Sequence, residues 1–316
     1  MGKVALGNRE RTFGAEFADE LGIGVIAEGV ETVEQLEMRW EDAHMSERFT
    51  VTDPDGVTIF VHRWIGAEPV HAVVHLAHGL GEHALRYARL ADALTAAGYA
   101  VYADDHRGHG RTGVEAGGLG PIGPRGMAGT LDALHAVSLD AQAKHPGLPF
   151  VLLGHSWGSL LAQRFALTWG GELTGLVLSG STLMVPPFPE VSTFNDGFEP
   201  AVTPYDWLSR DPAEVAKYVA DPWCGFSPDF PFDEMAYLAG PPTDAIPSAL
   251  PILVLNGSVD PVGGEAGGRA LVDAYRVLGV ADVTFRCYPN GRHELFNEIN
   301  RDDVTADLTA WLNAHS

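Results

Sequence analysis

The chain has 316 residues, 46% hydrophobic and 20% charged, which is enough apolar material for the core of one sizeable globular domain. Its formal net charge of -22 repels polyanions at long range and argues against a nucleic acid or an anionic membrane as partner. No run of about 18 apolar residues is present to span a bilayer, so no integral membrane association is expected. No signal-peptide pattern opens the chain, and Cys224 and Cys287 stand in unrelated contexts, so a cytoplasmic protein with free thiols is expected.

Residues 18–38, including the run 18–32, resemble a fragment of the barrel of EAL-type cyclic dinucleotide phosphodiesterases. That barrel needs roughly 200 residues or more, and His44-Met45 has the look of a fusion junction. Residues 1–45 therefore read as a non-catalytic leader. The alternative is an ordered arm, with residues 32–40 as an amphipathic helix docked on the cap formed by residues 181–245 or on a neighbouring subunit.

After the turn Asp53-Pro54-Asp55-Gly56, residues 57–64 read as an antiparallel edge strand. Apolar runs at 72–77, 99–103, 150–154, 176–179, 251–255 and 283–287 read as buried parallel strands. Helical patterns at 87–97, 128–144, 159–168 and 265–278 alternate with them. The pattern predicts an α/β fold: a mostly parallel central sheet flanked by helices, built from residues 46–180 and 246–316. Residues 181–245 break the rhythm with many prolines and aromatics, among them Phe188, Phe194, Tyr205, Trp207, Trp223, Phe226 and Phe232. They read as a cap inserted after strand 6, over the carboxyl ends of the strands where ligands bind. Its aromatics either pack the cap on the body or line an apolar pocket, for which Trp207 and Phe226 are the candidates.

Gly154-His155-Ser156-Trp157-Gly158 lies between a strand-like and a helix-like run, the context of a nucleophile elbow. A serine hydroxyl needs a histidine base near neutral pH, and the base needs an acid to hold its tautomer. In this arrangement the chain order is serine, acid, histidine. Downstream of Ser156 the only histidines are His293 and the near-terminal His315, so His293 is the base by near-elimination. Asp260, where the strand at 251–255 opens into a turn, is the preferred acid, with Asp282 next if Asp260-Pro261 is only a turn starter. Oxyanion donors are expected from the backbone N–H of Trp157, next to the nucleophile, and of Leu80, in the glycine loop after the strand at 72–77.

Four motifs in order, His78-Gly79-Leu80-Gly81-Glu82-His83, Asp105-His106-Arg107-Gly108-His109-Gly110-Arg111, Gly154-His155-Ser156-Trp157-Gly158 and Gly291-Arg292-His293-Glu294-Leu295-Phe296-Asn297-Glu298, resemble the monoacylglycerol lipase and lysophospholipase group of α/β-hydrolases. The resemblance covers about residues 50–315. It implies a serine ester hydrolase with triad Ser156, Asp260 and His293, oxyanion donors Leu80 and Trp157, a small acyl ester as substrate, and no cofactor. It also implies that the Arg107-Gly108-His109-Gly110 loop is structural.

Where many of that group carry methionine and two glycines, this chain has Trp157-Gly158-Ser159. A similar Ser-Trp-Gly-Ser occurs in proline iminopeptidases, so an aminopeptidase stays open as the alternative, with Glu199, Asp206 or Asp211 to hold a substrate amine. A non-catalytic ligand-binding relative is a third reading, disfavoured by the intact triad. The histidines at 71, 75, 78, 83, 106 and 109 invite a metal reading, but neither H-E-x-x-H nor a cysteine cluster accompanies them, and no metal is expected. A homodimer is left open.

Overall fold

In the computed structural model, eight strands form one sheet: β1 (Glu47–Thr52), β2 (Thr58–Ile65), β3 (Ala72–Ala77), β4 (Tyr99–Asp104), β5 (Phe150–His155), β6 (Gly175–Ser179), β7 (Ile252–Gly257) and β8 (Val283–Tyr288). The model describes residues 46–66, 69–183, 185, 193–230, 232–238 and 240–316; the leader at 1–45 and Phe188 lie outside the described residues. The strand order is β1-β2-β4-β3-β5-β6-β7-β8, parallel from β4 to β8 and antiparallel at β1 and β2.

The six parallel strands fall on the six apolar runs. β3, β4, β5, β6 and β7 are buried at every position, because helices cover both faces and leave no side for polar residues. One expectation is corrected. The antiparallel run near residues 57–64 is β2, but it is not at the edge: β1 pairs along its outer side, Phe49 opposite Val61, and takes that place. β1 is only half-buried on one face and exposed on the other, so it lacks the apolar density that marks the other strands.

The α-helices among the described residues are α1 (Ala88–Ala96), α2 (Gly110–Glu115), α3 (Gly126–Lys144), α4 (Trp157–Trp169), α5 (Pro212–Ala220), α6 (Gly264–Val277) and α7 (Arg301–His315). Alternate strand residues point to opposite faces, and the core divides accordingly. Val73 and Ala77 join Leu131, Leu134, Leu161, Phe165, Leu271 and Tyr275 from α3, α4 and α6. Val74 and Leu76 join Leu90, Leu94, Leu308 and Leu312 from α1 and α7.

The connection from β6 to β7 holds the insertion, whose described elements are short: 3-10 turns at Asp206–Leu208 and Phe232–Tyr237, and α5. Helix α5 starts where its sequence says it should: the Asp211 side chain accepts the Ala213 N–H at 3.0 Å and Pro212 takes the first helical position. Among the described residues no helix is long and apolar enough to cross a membrane.

Candidate active site

Strand β5 ends at His155 and helix α4 begins at Trp157, so Ser156 alone makes the turn between them. Its φ of 52° and ψ of -120° lie in a region that residues with a side chain rarely adopt. Such a turn brings backbones together. A β-carbon at Gly154 would stand 2.4 Å from the Gly158 carbonyl oxygen, and one at Gly158 would stand 2.1 Å from that of Ala77. Only hydrogen fits at either place. The Ser156 N–H donates to the Ser179 carbonyl on β6 at 2.9 Å, fixing the turn to the sheet. Ser159, where the motif departs from the resembling group, is buried with its hydroxyl 2.6 Å from the Ser156 carbonyl oxygen and 2.8 Å from Ser181 Oγ.

Asp260 follows β7 and His293 follows β8, both at the carboxyl ends of their strands, both buried. His293 Nδ1 lies 2.9 Å from each carboxylate oxygen of Asp260, which therefore accepts the Nδ1 proton. The carboxylate is itself oriented by the Val262 N–H at 2.9 Å. Burial opposes the charged imidazole, but the Asp260 carboxylate outweighs it and raises the His293 pKa above the ordinary 6.5. Among the described residues His293 Nε2 is buried and makes no hydrogen bond, so it is open to a proton from a neighbour. The other candidate acid, Asp282, instead meets His315 Nε2 at 3.0 Å on the surface.

The loop after β3 runs beside this pair. A β-carbon at Gly79 would come within 3.2 Å of Ser156 Cβ, which puts the loop directly against the Ser156 turn. His78 fixes the loop's polarity. The His106 N–H donates to His78 Nε2 at 3.1 Å, so the ring proton is on Nδ1, which donates to the Gly79 carbonyl at 2.8 Å. Burial, followed by the charges of His106 and His109, holds the His78 pKa well below 6.5 and keeps the ring neutral. A trans peptide sets its N–H opposite its carbonyl, so Leu80 N–H points away from His78. Trp157 is the first residue of α4, and its N–H has no acceptor inside the helix.

A buried ionic brace joins the two loops. Arg86 Nη1 lies 2.6 Å from Glu82 Oε2 and 2.5 Å from Glu294 Oε1, and Nη2 lies 2.7 Å from Glu294 Oε2. The other oxygen of Glu82 accepts the Gly79 N–H at 2.6 Å and the Tyr87 hydroxyl at 2.7 Å. Glu294 adjoins His293 in sequence. Burial raises its pKa, yet the Arg86 charge pulls it well below the usual carboxylate range. Glu82 and Glu294 stand inside the quoted motifs and Arg86 three residues beyond the first, but sequence reasoning gave them no role; the glutamate at 294 is 208 positions from its arginine, and only the fold brings them together.

The insertion contributes aromatics on both flanks. Trp207 has its ring centroid 4.9 Å from that of His293, and Phe194 packs on it at 4.8 Å. On the other flank, Phe226 meets His109 edge-on at 5.0 Å, and His109 stacks on Trp157 at 5.0 Å. Arg107 of the same loop pairs with Asp53 and, at 2.6 Å, with Asp55, as a structural loop would. The acids considered for an amine are otherwise engaged or exposed: Asp206 accepts the Thr203 hydroxyl at 2.5 Å, Asp211 pairs with Arg301 at 2.8 Å, and Glu199 is exposed.

A carboxylate and a histidine at the ends of neighbouring parallel strands, beside a strained serine, make this an α/β-hydrolase. A thermostable carboxyl esterase from Bacillus coagulans superposes with a TM-score of 0.78 at 26% identity, over 85% of this chain and 98% of that one. The chain belongs to the Hydrolase_4 family, serine aminopeptidase S33, whose profile matches residues 68–300. It is 34% identical to the monoacylglycerol lipase of Mycolicibacterium smegmatis, over 82% of this chain and 94% of that protein. The human monoglyceride lipase is 27% identical over 83% of this chain and 89% of its own length. The chain is a carboxylic ester hydrolase of the monoacylglycerol lipase type.

Proposed function

We propose that the chain hydrolyses monoacylglycerols and other small acyl esters through an acyl-enzyme on Ser156. The observation that carries this reading is the buried Asp260–His293 pair at 2.9 Å, set beside a serine held at a φ of 52°. Ser156 Oγ attacks the ester carbonyl carbon while His293 Nε2 takes its proton, and Asp260 stabilises the imidazolium. Negative charge collects on the former carbonyl oxygen, which accepts from Leu80 N–H and Trp157 N–H in this mechanism; each such donor is worth roughly 2.7–4 kcal/mol. The intermediate collapses, the alcohol leaves with the proton from His293, and water then repeats the sequence to release the acid. No step requires a cofactor.

Ser156→Ala is expected to lower turnover by about 10⁶-fold, and a serine-directed phosphonate is expected to label Ser156 alone. Activity within tenfold of the unsubstituted enzyme would end this mechanism. The chemistry is assigned to residues 46–180 and 246–316 and selection to the cap at 181–245, so a chain lacking residues 1–44 is expected to retain full hydrolysis of a soluble ester. The aminopeptidase reading draws on the family's description, and prolyl anilides assayed beside monoacylglycerols separate the two. The partner Asp211 already has in Arg301 weighs against it.

A further inference from the structure

Away from the catalytic groups, His83, Asp221 and Cys224 bring an imidazole nitrogen, a carboxylate oxygen and a thiol sulfur within 4.8 Å of one another. They come from two sides of a seam: His83 from the loop after β3, Asp221 and Cys224 from the turn that ends α5. His83 Nε2 lies 2.8 Å from Asp221 Oδ2, with the two side chains 8% and 28% exposed. Its other nitrogen, Nδ1, is buried and makes no hydrogen bond among the described residues.

The turn is built before any ligand arrives. Asp221 Oδ1 accepts the Trp223 N–H at 2.8 Å and the Asp221 carbonyl accepts the Cys224 N–H at 3.1 Å, so the carboxylate and thiol project together. Gly81 pins the turn from below: its carbonyl accepts the Gly225 N–H at 3.0 Å and the Tyr218 hydroxyl at 2.8 Å. Arg86 is the nearby cation, but Glu82 and Glu294 already hold it at 2.6 and 2.5 Å. With Asp221 the carboxylates outnumber it, and the local field favours a cation.

One sulfur, one nitrogen and one oxygen suit a borderline-soft ion with tetrahedral preference, not the all-oxygen shells of calcium or magnesium. Zinc bonds of about 2.0–2.3 Å set tetrahedral ligand atoms roughly 3.3–3.8 Å apart, so the His83–Asp221 contact must open slightly and the sulfur close in. We propose that His83, Asp221 and Cys224 form a site for zinc or a zinc-like divalent cation, and that the bound ion clamps the insertion onto the loop that carries Leu80. On binding, the Cys224 S–H bond gives way to a sulfur–metal bond and its proton leaves to solvent, with no change of oxidation state.

The test titrates the full chain with Zn²⁺ alone by calorimetry and with Co²⁺ by absorption, for the unsubstituted protein, Cys224→Ser and Asp221→Asn. One equivalent of Zn²⁺ is expected to bind, weakened by about 100-fold or more in each variant, since loss of even an outer partner of a metal ligand costs 10–100-fold. The Co²⁺ complex should show a thiolate-to-metal band that Cys224→Ser lacks. Unaltered Zn²⁺ binding in both variants, or a Co²⁺ spectrum without that band, overturns the site. Occupancy is further expected to lower ester turnover by about tenfold, the size of a typical coupling between sites, with Cys224→Ser keeping basal turnover and losing the inhibition. Specific binding that leaves turnover untouched overturns the clamp. The metal titration gives its answer whatever substrate the enzyme prefers.

Discussion

The loops at the carboxyl ends of the sheet and the insertion above them are built differently. Between His78 and His83, and again between Asp260 and Glu298, polar side chains are buried and locked to backbone groups: Glu82 accepts the Gly79 N–H, His78 donates to the Gly79 carbonyl, and Asp260 accepts the Val262 N–H. Most of that order comes from main chain held in fixed turns. The insertion has short helices, and ion pairs at its edges tie it to the body: Arg89 with Glu214 at 3.0 Å, Arg210 with Glu298 at 2.9 Å, Arg301 with Asp211 at 2.8 Å. The chemistry thus rests on backbone geometry, which few sequences satisfy. On the proposed function, selection falls to aromatic side chains such as Trp207 and Phe226, which stand outside that frame.

Substitution within the frame should therefore cost most. Asp260→Asn keeps the shape of the acid but favours the wrong histidine tautomer, and turnover is expected to fall by about 10⁴-fold. Asp282→Asn, on the surface against His315, is expected to leave turnover near that of the unsubstituted enzyme. Steady-state kinetics on one soluble ester decides between them; the reverse ranking would move the acid role to Asp282.

What the sequence disclosed follows the same division. Gly154 and Gly158 announce the elbow because no other residue fits there, and the chain order of serine, acid and histidine narrows the rest. The buried parallel strands are legible because both faces are covered and their residues are apolar throughout. Three features were not legible. β1 shows no apolar run, since only one of its faces is half-buried. The pairing of Arg86 with Glu294, and of His83 with Asp221 138 positions away, exists only once the chain has folded. Helix α7 carries its core contacts on few residues, Val304, Leu308, Trp311 and Leu312, among acids and threonines that hide its stripe.

The Arg86 brace sits where the two regions meet, and its loss should register as stability. Arg86→Met leaves Glu82 and Glu294 buried without their cation, a change worth about 3–5 kcal/mol in comparable pairs. Urea unfolding is expected to show a midpoint lowered accordingly. Adding Glu82→Gln and Glu294→Gln to Arg86→Met removes the buried charges and is expected to recover much of the loss. A single variant as stable as the unsubstituted protein would mean that the guanidinium adds no more than packing.

A smaller effect concerns protons. Asp260 raises the His293 pKa, and only the neutral imidazole can accept the serine proton. On the acid side kcat/KM should therefore fall as pH drops, with a midpoint above 6.5 rather than at or below it. In Asp260→Asn the residual activity should show that midpoint moved down, because burial then acts on His293 without an opposing carboxylate. A midpoint that stays put in the variant would place its origin in another group.

The smallest expected changes are in the insertion, and they test whether it selects the substrate. Trp207 beside His293 and Phe226 beside His109 offer apolar surface on the two flanks of Ser156. Each methylene of an acyl chain that they bury is worth up to about 0.8 kcal/mol, close to fourfold in kcat/KM. We expect kcat/KM to rise with acyl length from two carbons to about eight and then to level or fall, with monoacylglycerols well ahead of triacylglycerols. Trp207→Ala and Phe226→Ala should flatten that rise while changing acetate ester hydrolysis little, because an acetyl group does not reach them and the backbone of Trp207, which accepts the His293 N–H at 3.4 Å, stays in place. An equal fall at every chain length would show that these rings support the frame and do not select. If acetate is the best ester and prolyl anilides are cut faster still, the pocket is small and polar, and the insertion holds an amine rather than an acyl chain.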